Sequence, residues 1–87
     1  MPDMPPSPEP AVLPGLAQTI NRVTGRPEAD VRPERTFVED LRIDSIAMVE
    51  ILEGAAVHFG VRIDDEDAKS FVAVEDLVSY LAARVQP

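Results

Sequence analysis

Apolar residues recur at helical spacing in three stretches of the chain. The first stripe consists of Leu13, Leu16, Ile20 and Val23. Intervals of three and four residues predict an amphipathic helix that starts near Val12. Pro14 would fall in its first turn, where a missing N–H costs little, and Gly25 would end it as a C-cap residue.

A second helix is predicted from Asp44-Ser45 to about Phe59. Asp44 is a good N-cap residue, and Gly60 supplies the C-cap. One arc of this helix contains Met48, Ile51, Leu52, Ala55 and Phe59. The opposite arc contains Ile46, Ala47, Glu50, Glu53, Gly54 and Val57. That outer arc mixes acids with large exposed apolar groups, which favours a docking surface over a plain solvated face.

Two further helices are predicted in the last third of the chain. The acids Asp64–Asp67 suit the first turn of a short third helix, because they lie at the positive end of the helix dipole. A last helix is predicted from about Val74 to Arg84. Its stripe consists of Leu77, Val78, Leu81 and Val85.

Residues 25–44 contain Pro27 and Pro33 and no sustained helical stripe. A 20-residue loop is unusual in a compact domain. Either an element has been missed, or the loop is an organised part of the fold. Three apolar residues could anchor it to a core: Val31, Phe37 and Leu41.

Composition narrows the class of protein. The chain has 87 residues, with 16 acids against 8 bases and a net charge of −8. Five of its nine prolines lie in residues 1–10, which predicts a proline-rich disordered tail followed by one domain over residues 11–87. A field this negative repels phosphate backbones, so we expect no nucleic-acid partner.

Two absences bear on where the protein works. No apolar run approaches the roughly 20 residues that span a bilayer, so we expect no membrane span. The N-terminal residues lack the basic and apolar regions of a signal peptide. We therefore expect a cytoplasmic protein.

Catalytic parts are scarce. The chain has no cysteine, and its only histidine, His58, lies 13 residues from Ser45 on the same helix, roughly 20 Å away. His58 therefore cannot activate Ser45, and we expect a surface histidine and no enzyme. The consecutive acids Asp64–Asp67 do not match a calcium loop, so no specific metal site is expected, and weak, non-specific binding of divalent ions is the alternative that stays open.

Ser45 remains as a candidate for modification. A phosphate ester on Ser45 would lie at a helix N-terminus, where free N–H groups and the dipole favour anions. The residue therefore suits being modified better than acting as a catalyst.

The segment Phe37-Val38-Glu39-Asp40-Leu41-Arg42-Ile43-Asp44-Ser45-Ile46 resembles a known motif. In discrete, type II acyl carrier proteins the pattern is F-x-E/D-D-L-x-x-D-S-L/I/V, followed by a helix with V-E, here Val49-Glu50. Phe59, Ile63, Asp65-Glu66 and Tyr80 also occupy positions similar to the family's. The resemblance covers roughly residues 12–84.

This resemblance implies an all-α fold, a four-helix bundle with a long loop between helices 1 and 2 and a short third helix. It implies that Ser45, preceded by the motif residue and N-cap Asp44, receives 4′-phosphopantetheine from coenzyme A through a holo-acyl-carrier-protein synthase. The arm's thiol holds acyl chains as thioesters and delivers them to enzymes of fatty-acid, lipid or polyketide synthesis. The absence of cysteine fits a thiol that is imported.

The resemblance also implies partners and a pocket. The partners would be acyl-loading, ketosynthase, reductase or ligase-type enzymes with basic patches. The protein would be a monomer that contacts them through its second helix. The expected docking residues are Ile46, Val49, Glu50, Glu53 and Val57. The expected acyl pocket is lined by Phe37, Met48, Leu52, Phe59, Ile63 and Leu77.

Departures from the family pattern leave alternatives. Ala47, Ala56, Val57 and His58 stand at outer positions where well-studied fatty-acid carriers are acidic. We therefore expect weaker electrostatic steering and more apolar contact, as for a dedicated ligase or a polyketide-type pathway. A peptidyl or aminoacyl carrier is disfavoured, because Arg42-Ile43-Asp44 precedes the serine in place of a Gly-Gly-x sequence. An unmodified acidic helical adaptor is the alternative from another class.

Overall fold

The computed structural model describes residues 9–85, which fold into four α-helices and one 3₁₀ turn. The helices are α1 (Glu9–Thr24), α2 (Ser45–Phe59), α3 (Asp65–Ala68) and α4 (Val74–Arg84), and the 3₁₀ turn is Glu28–Asp30. Within this range there is no β-strand, only an isolated bridge between Thr36 and Ala73. The predicted four-helix, all-α fold with a short third helix is confirmed.

Helix α1 differs from the prediction at its start. It begins at Glu9, so Pro14 is its sixth residue and lies inside the helix. Because Pro14 has no N–H, it cannot make the bond to the carbonyl four residues earlier, and its exposed position keeps the ring clear of the core. Residues 9 and 10 of the predicted tail are thus helical, and residues 1–8 lie outside the described residues.

The core lies where α1 packs against α2 and α4. Helix residues with exposures of at most 2% fill its centre: Val12, Leu16, Ile20, Ile51, Ala55, Val74, Leu77 and Leu81. The long loop contributes buried side chains as well: Val31, Phe37, Leu41 and Ile43. The loop is therefore part of the core, which confirms the anchoring expected from the sequence and adds Ile43 to it.

Backbone hydrogen bonds join this loop to the beginning of α4. The N–H of Phe37 donates to the carbonyl of Val72 at 3.0 Å. The N–H of Val74 donates to Arg35 at 2.8 Å, and that of Glu75 donates to Pro33 at 2.9 Å. The loop carbonyls thus satisfy amide groups that the first turn of a helix leaves without an intrahelical acceptor.

A close contact between α1 and α2 corrects one expectation. A Cβ on Gly54 would meet the side chain of Thr19 at 2.9 Å, so Gly54 faces α1 and does not belong to the outer arc of α2. Gly15 plays the same part on α1, where a Cβ would meet Phe59 at 2.7 Å. Ala47 is half-buried against the core as well. Small residues on both helices allow this close approach.

None of the helices within residues 9–85 combines the length and the apolar character needed to cross a membrane.

Candidate functional site

Ser45 is the first residue of α2, and it is exposed. Asp44 precedes it in an extended conformation, and its carboxylate accepts the N–H of Ala47 at 2.8 Å. The predicted N-cap is therefore confirmed. The amide groups of Ser45 and Ile46 lie in the same first turn, where an α-helix offers no backbone acceptor. They remain available to an anion attached at Ser45.

The chain just before Ser45 is held firmly. Leu41 and Ile43 are both 3% exposed. Their N–H groups donate to the carbonyls of Thr36 at 3.0 Å and Phe37 at 2.9 Å. The Nε of Arg26 donates to the carbonyl of Leu41 at 3.1 Å. Anchored on both sides, the segment presents Arg42 to solvent and fixes the direction in which the chain enters α2.

Asp40 and Thr36 close a ring of hydrogen bonds in the same loop. The N–H of Thr36 donates to the Asp40 carboxylate at 2.8 Å, and the N–H of Asp40 donates to the Thr36 hydroxyl at 3.1 Å. The bond from the Thr36 amide holds the pKa of Asp40 below its ordinary value, against a smaller opposing effect of desolvation. The loop is thus closed by an ionised carboxylate.

The outer surface of α2 carries the expected docking residues. Ile46, Val49 and Val57 are 74%, 53% and 84% exposed, which is unusual for large apolar side chains. Glu50 and Glu53 lie among them and are also exposed. The side of the helix that faces away from the core is thus apolar with an acidic centre.

A groove of about 160 Å³ lies between α2 and α3. Its lining consists of Val49, Leu52, Glu53, Ala56, Ile63, Asp65 and Ala68. Two of the six predicted acyl-pocket residues, Leu52 and Ile63, therefore face this groove. A wider depression of about 760 Å³ crosses the exposed side of α4 and does not include Ser45.

The other four predicted pocket residues do not line the groove. Phe37 and Leu77 are buried in the core, at 1% and 0% exposure. Met48 and Phe59 are half-buried and pack against that core. These four side chains thus belong to the packed core or its edge, and the pocket stays a prediction.

Side-chain contacts attach the short α3 to α4. The hydroxyl of Tyr80 donates to the carboxylate of Asp67 at 2.8 Å, and this bond raises the pKa of Tyr80. Phe71 meets the Tyr80 ring edge-on, at 5.1 Å between centroids. The guanidinium of Arg84 lies 3.6 Å from the centroid of the same ring. Tyr80 is therefore the centre of the attachment that positions one wall of the groove.

The remaining candidates have structural or surface roles. His58 is exposed, and its ring lies against Phe59, with 4.6 Å between centroids. It belongs to the contact with α1, because a Cβ on Gly15 would come within 2.9 Å of its Nε2. Among residues 9–85, no group of three or more histidine or acidic side chains is placed to hold a metal ion.

Sequence reasoning assigned no role in the site to four residues that shape it. Arg26, Arg42, Asp67 and Tyr80 act through long-range contacts or backbone conformation, which no periodic pattern reveals. Gly54 was the one sequence signal of a close helix contact, because a glycine inside a helix is destabilising and usually has a packing cause. Here the cause is Thr19, which a Cβ on residue 54 would approach too closely.

Known proteins agree with this geometry. A family model described as the phosphopantetheine attachment site matches residues 14–81. An acyl carrier protein of Acidothermus cellulolyticus is 48% identical over 71 residues, 82% of this chain and 84% of that protein. A meromycolate extension acyl carrier protein of Mycolicibacterium aurum is 44% identical over 70 residues, covering 80% and 72% of the two chains.

A solved structure gives the same result. The acyl carrier protein from Enterococcus faecalis superimposes with a TM-score of 0.71 at 28% identity, covering 87% of this chain and 96% of that one. The matches define a phosphopantetheine-binding carrier. The chain belongs to the acyl carrier protein family.

A member of this family carries acyl chains on a 4′-phosphopantetheine group and works together with biosynthetic enzymes. When bound, the group supplies a thiol, which this cysteine-free chain lacks. The residues present fit it, because an exposed hydroxyl stands at the beginning of a 15-residue helix, beside free amide groups.

Proposed function

We propose that Ser45 is the residue that carries the 4′-phosphopantetheine arm. The observation that supports this most strongly is the position of Ser45, exposed at the first residue of α2 and preceded by a rigid loop. The chain then acts as a carrier and not as a catalyst, because the carboxylate beside the serine, that of Asp44, caps α2, and His58 lies near the other end of the helix.

Loading at Ser45 requires a balanced phosphoryl transfer. The Oγ of Ser45 forms a bond to the phosphorus that bears the pantetheine. The bond from that phosphorus to the remaining phosphate of coenzyme A breaks, 3′,5′-ADP leaves, and the serine proton is taken up by the synthase or solvent. The synthase provides the base in this proposal, since the neighbouring carboxylate of Asp44 is engaged as the N-cap of α2.

Intact mass tests the attachment. The unmodified protein is incubated with coenzyme A and a broad-specificity phosphopantetheinyl transferase, and we expect a gain of one phosphopantetheine group. Ser45→Ala should show no gain, whereas Ser70→Ala, which removes another exposed serine, should gain as wild type does. An equal gain for Ser45→Ala would overturn the assignment.

We further propose that partner enzymes dock on Ile46, Val49 and Val57, with Glu50 and Glu53 meeting basic side chains. Three exposed apolar groups support this surface, and they imply that contact is less sensitive to salt than in a purely acidic interface. The kinetics of loading by holo-acyl-carrier-protein synthase test this docking surface. Ile46→Ser should raise KM at all salt concentrations, while Glu50→Gln should raise KM only at low salt.

The acyl chain, in this proposal, enters by way of the groove at Leu52 and Ile63 and reaches Phe37 and Leu77 only if the core opens. The volume of the groove supports the entry of only a short part of the chain, since a cavity of about 150 Å³ accommodates one benzene-sized molecule. Methyl NMR spectra with a short and a long acyl chain on the arm test this. Both chains should shift the signals of Leu52 and Ile63, and only the long chain should shift Leu77.

A further inference from the structure

Arg42 is the one residue in the described range, glycine aside, with a positive φ, 57°. L-residues disfavour this left-handed conformation because Cβ comes close to the following carbonyl. Glycine would adopt it freely. Since glycine would fit this backbone without strain, the presence of an exposed arginine three residues before Ser45 raises the question of what its side chain does.

The conformation is imposed by the neighbours of Arg42. Leu41 and Ile43 are both buried, and both are held by backbone hydrogen bonds. Since the residues on either side point into the core, the side chain of Arg42 is directed to solvent, where it is exposed. Within residues 9–85 its guanidinium makes no ion pair and no hydrogen bond.

Along the chain, the other acidic and basic residues close to Ser45 are acids, and the guanidinium of Arg26, which also reaches this loop, is already engaged by the Leu41 carbonyl and by Asp30. Arg42 is the only lysine or arginine between Thr36 and Val61, a stretch that contains five acids. Asp44 already places a carboxylate at the N-terminus of α2, bonded to the N–H of Ala47. A phosphodiester on Ser45 would add a second negative charge next to it. The two anions repel each other, and a nearby cation would offset that repulsion.

We propose that Arg42 binds the phosphodiester of the prosthetic group on Ser45 and so steadies the arm at its root. This rests on the proposed attachment at Ser45. Three residues span at most about 11 Å between the Cα atoms, a gap that a long arginine side chain and a serine-linked phosphate together can close. Guanidinium groups pair well with phosphate oxygens, because they offer two parallel donors.

The unmodified state explains why this contact depends on loading. Without the phosphate, Arg42 lies beyond the positive end of the α2 dipole and gains nothing from it. With the phosphate, the same side chain faces an anion. Loading should therefore stabilise the protein more when residue 42 is a cation.

The experiment compares melting temperatures before and after loading, for wild type and three variants. Arg42→Gln removes the charge and keeps a long L side chain, whereas Arg42→Lys keeps the charge. Arg62→Gln is the control, since it removes the same charge from an exposed residue near the opposite end of α2. The ion pair of Arg62 with Asp64 at 3.4 Å is lost in both loading states of this variant, so its loss cancels in the comparison. Intact mass first confirms that each protein is loaded, which tests the attachment at Ser45 separately.

For wild type and Arg62→Gln we expect loading to raise the melting temperature by roughly 1–5 °C more than it does for Arg42→Gln. Arg42→Lys should retain part of the difference. The difference should disappear near 1 M salt, where the screening length is about 3 Å. A change in backbone strain alone would alter both states equally and cancel in this comparison.

NMR gives an independent measurement. The Nε–H signal of Arg42, assigned by its loss in Arg42→Gln, should shift on loading, and the ³¹P signal of the arm should differ between wild type and Arg42→Gln. Unchanged signals, together with equal loading shifts in melting temperature, would overturn the proposal. If Arg42→Gln only slows loading, Arg42 contacts the synthase, and the proposal is wrong.

Discussion

The two long connections of this protein are built by different means. Between α1 and α2, the loop over residues 25–44 contributes four buried side chains and several backbone hydrogen bonds. Between α2 and α4, residues 61–73 contain the four-residue α3, which has no buried residue of its own and is attached to α4 through Tyr80 and Asp67.

The difference shows which side of the site is fixed. The loop leads directly into Ser45, so the proposed attachment point has a defined position. The α3 connection forms one wall of the groove beside α2, and few contacts must break for that wall to move. Under the proposed function, the arm is attached at the fixed side and the acyl chain enters at the movable side, so this asymmetry would serve both roles.

Truncating one aromatic residue in each connection should give the largest contrast. Phe37→Ala removes a side chain that is 1% exposed, and we expect a loss of about 3–5 kcal/mol in the free energy of unfolding. Phe71→Ala removes a half-buried ring and should cost about 1–2 kcal/mol. Urea unfolding measures both.

Phe37→Leu serves as the control if Phe37→Ala fails to fold, because it retains most of the buried volume. Equal losses for Phe37→Ala and Phe71→Ala would contradict the view that the loop is core and the α3 connection is not.

Backbone strain in the loop should give a smaller effect of opposite sign. Arg42→Gly relieves a left-handed L-residue, so the unmodified protein should gain about 0.5–1 kcal/mol after the greater entropy of glycine in the unfolded chain is subtracted. Thermal unfolding measures it. Arg62→Gly, at a residue without positive φ, should destabilise slightly, and a gain there would argue against strain as the cause.

The smallest expected effects are pH dependences of stability, which should have opposite signs in the two connections. The folded-state pKa of Asp40 is lowered from 3.8, mainly by the Thr36 amide. The contribution of Asp40 to the stability of the fold is therefore present above that pH and is lost as pH falls through the folded-state pKa. The folded-state pKa of Tyr80 is raised from 10.0, mainly by the hydrogen bond to Asp67. The contribution of Tyr80 to the stability of the fold is therefore present below that pH and is lost as pH rises through the folded-state pKa.

Melting temperatures of wild type, Asp40→Asn and Tyr80→Phe, followed from strongly acidic to strongly alkaline pH, test both signs. Asp40→Asn should differ from wild type at neutral pH and converge with it in acid. Tyr80→Phe should converge with wild type only in alkali. Convergence at the wrong end would show that the assigned bonds are not the cause.

Periodicity predicted most of the helices, because an amphipathic helix must bury one face. The bounds of α2 and α4 agree with the spacing of their apolar residues, and Asp44 and Gly60 end α2 as expected. The start of α1 was placed too late, since Glu9 and Pro10 carry no apolar stripe. The loop was recognised as unusual, but its order depends on partners far along the chain.

In the candidate site, too, some features follow from neighbouring residues and could be predicted, whereas others depend on distant contacts. Ser45 and Asp44 could be identified from a local motif, since capping and exposure at a helix start are short-range properties. The outer surface of α2 was also anticipated, except for two residues. Gly54 faces Thr19 of another helix, and Ala47 packs against the core. The pocket was implied by the resemblance to the family, and only two of its six expected residues, Leu52 and Ile63, face the groove.

The sequence by itself determined an acidic, cysteine-free helical carrier with one serine suited to modification. Those features depend on composition, on helical period and on residues adjacent in the chain. Only the tertiary structure decided that Arg42 adopts a left-handed conformation, that Tyr80 attaches α3, and that the loop belongs to the core. Each of these depends on contacts between residues distant in sequence, which packing alone brings together.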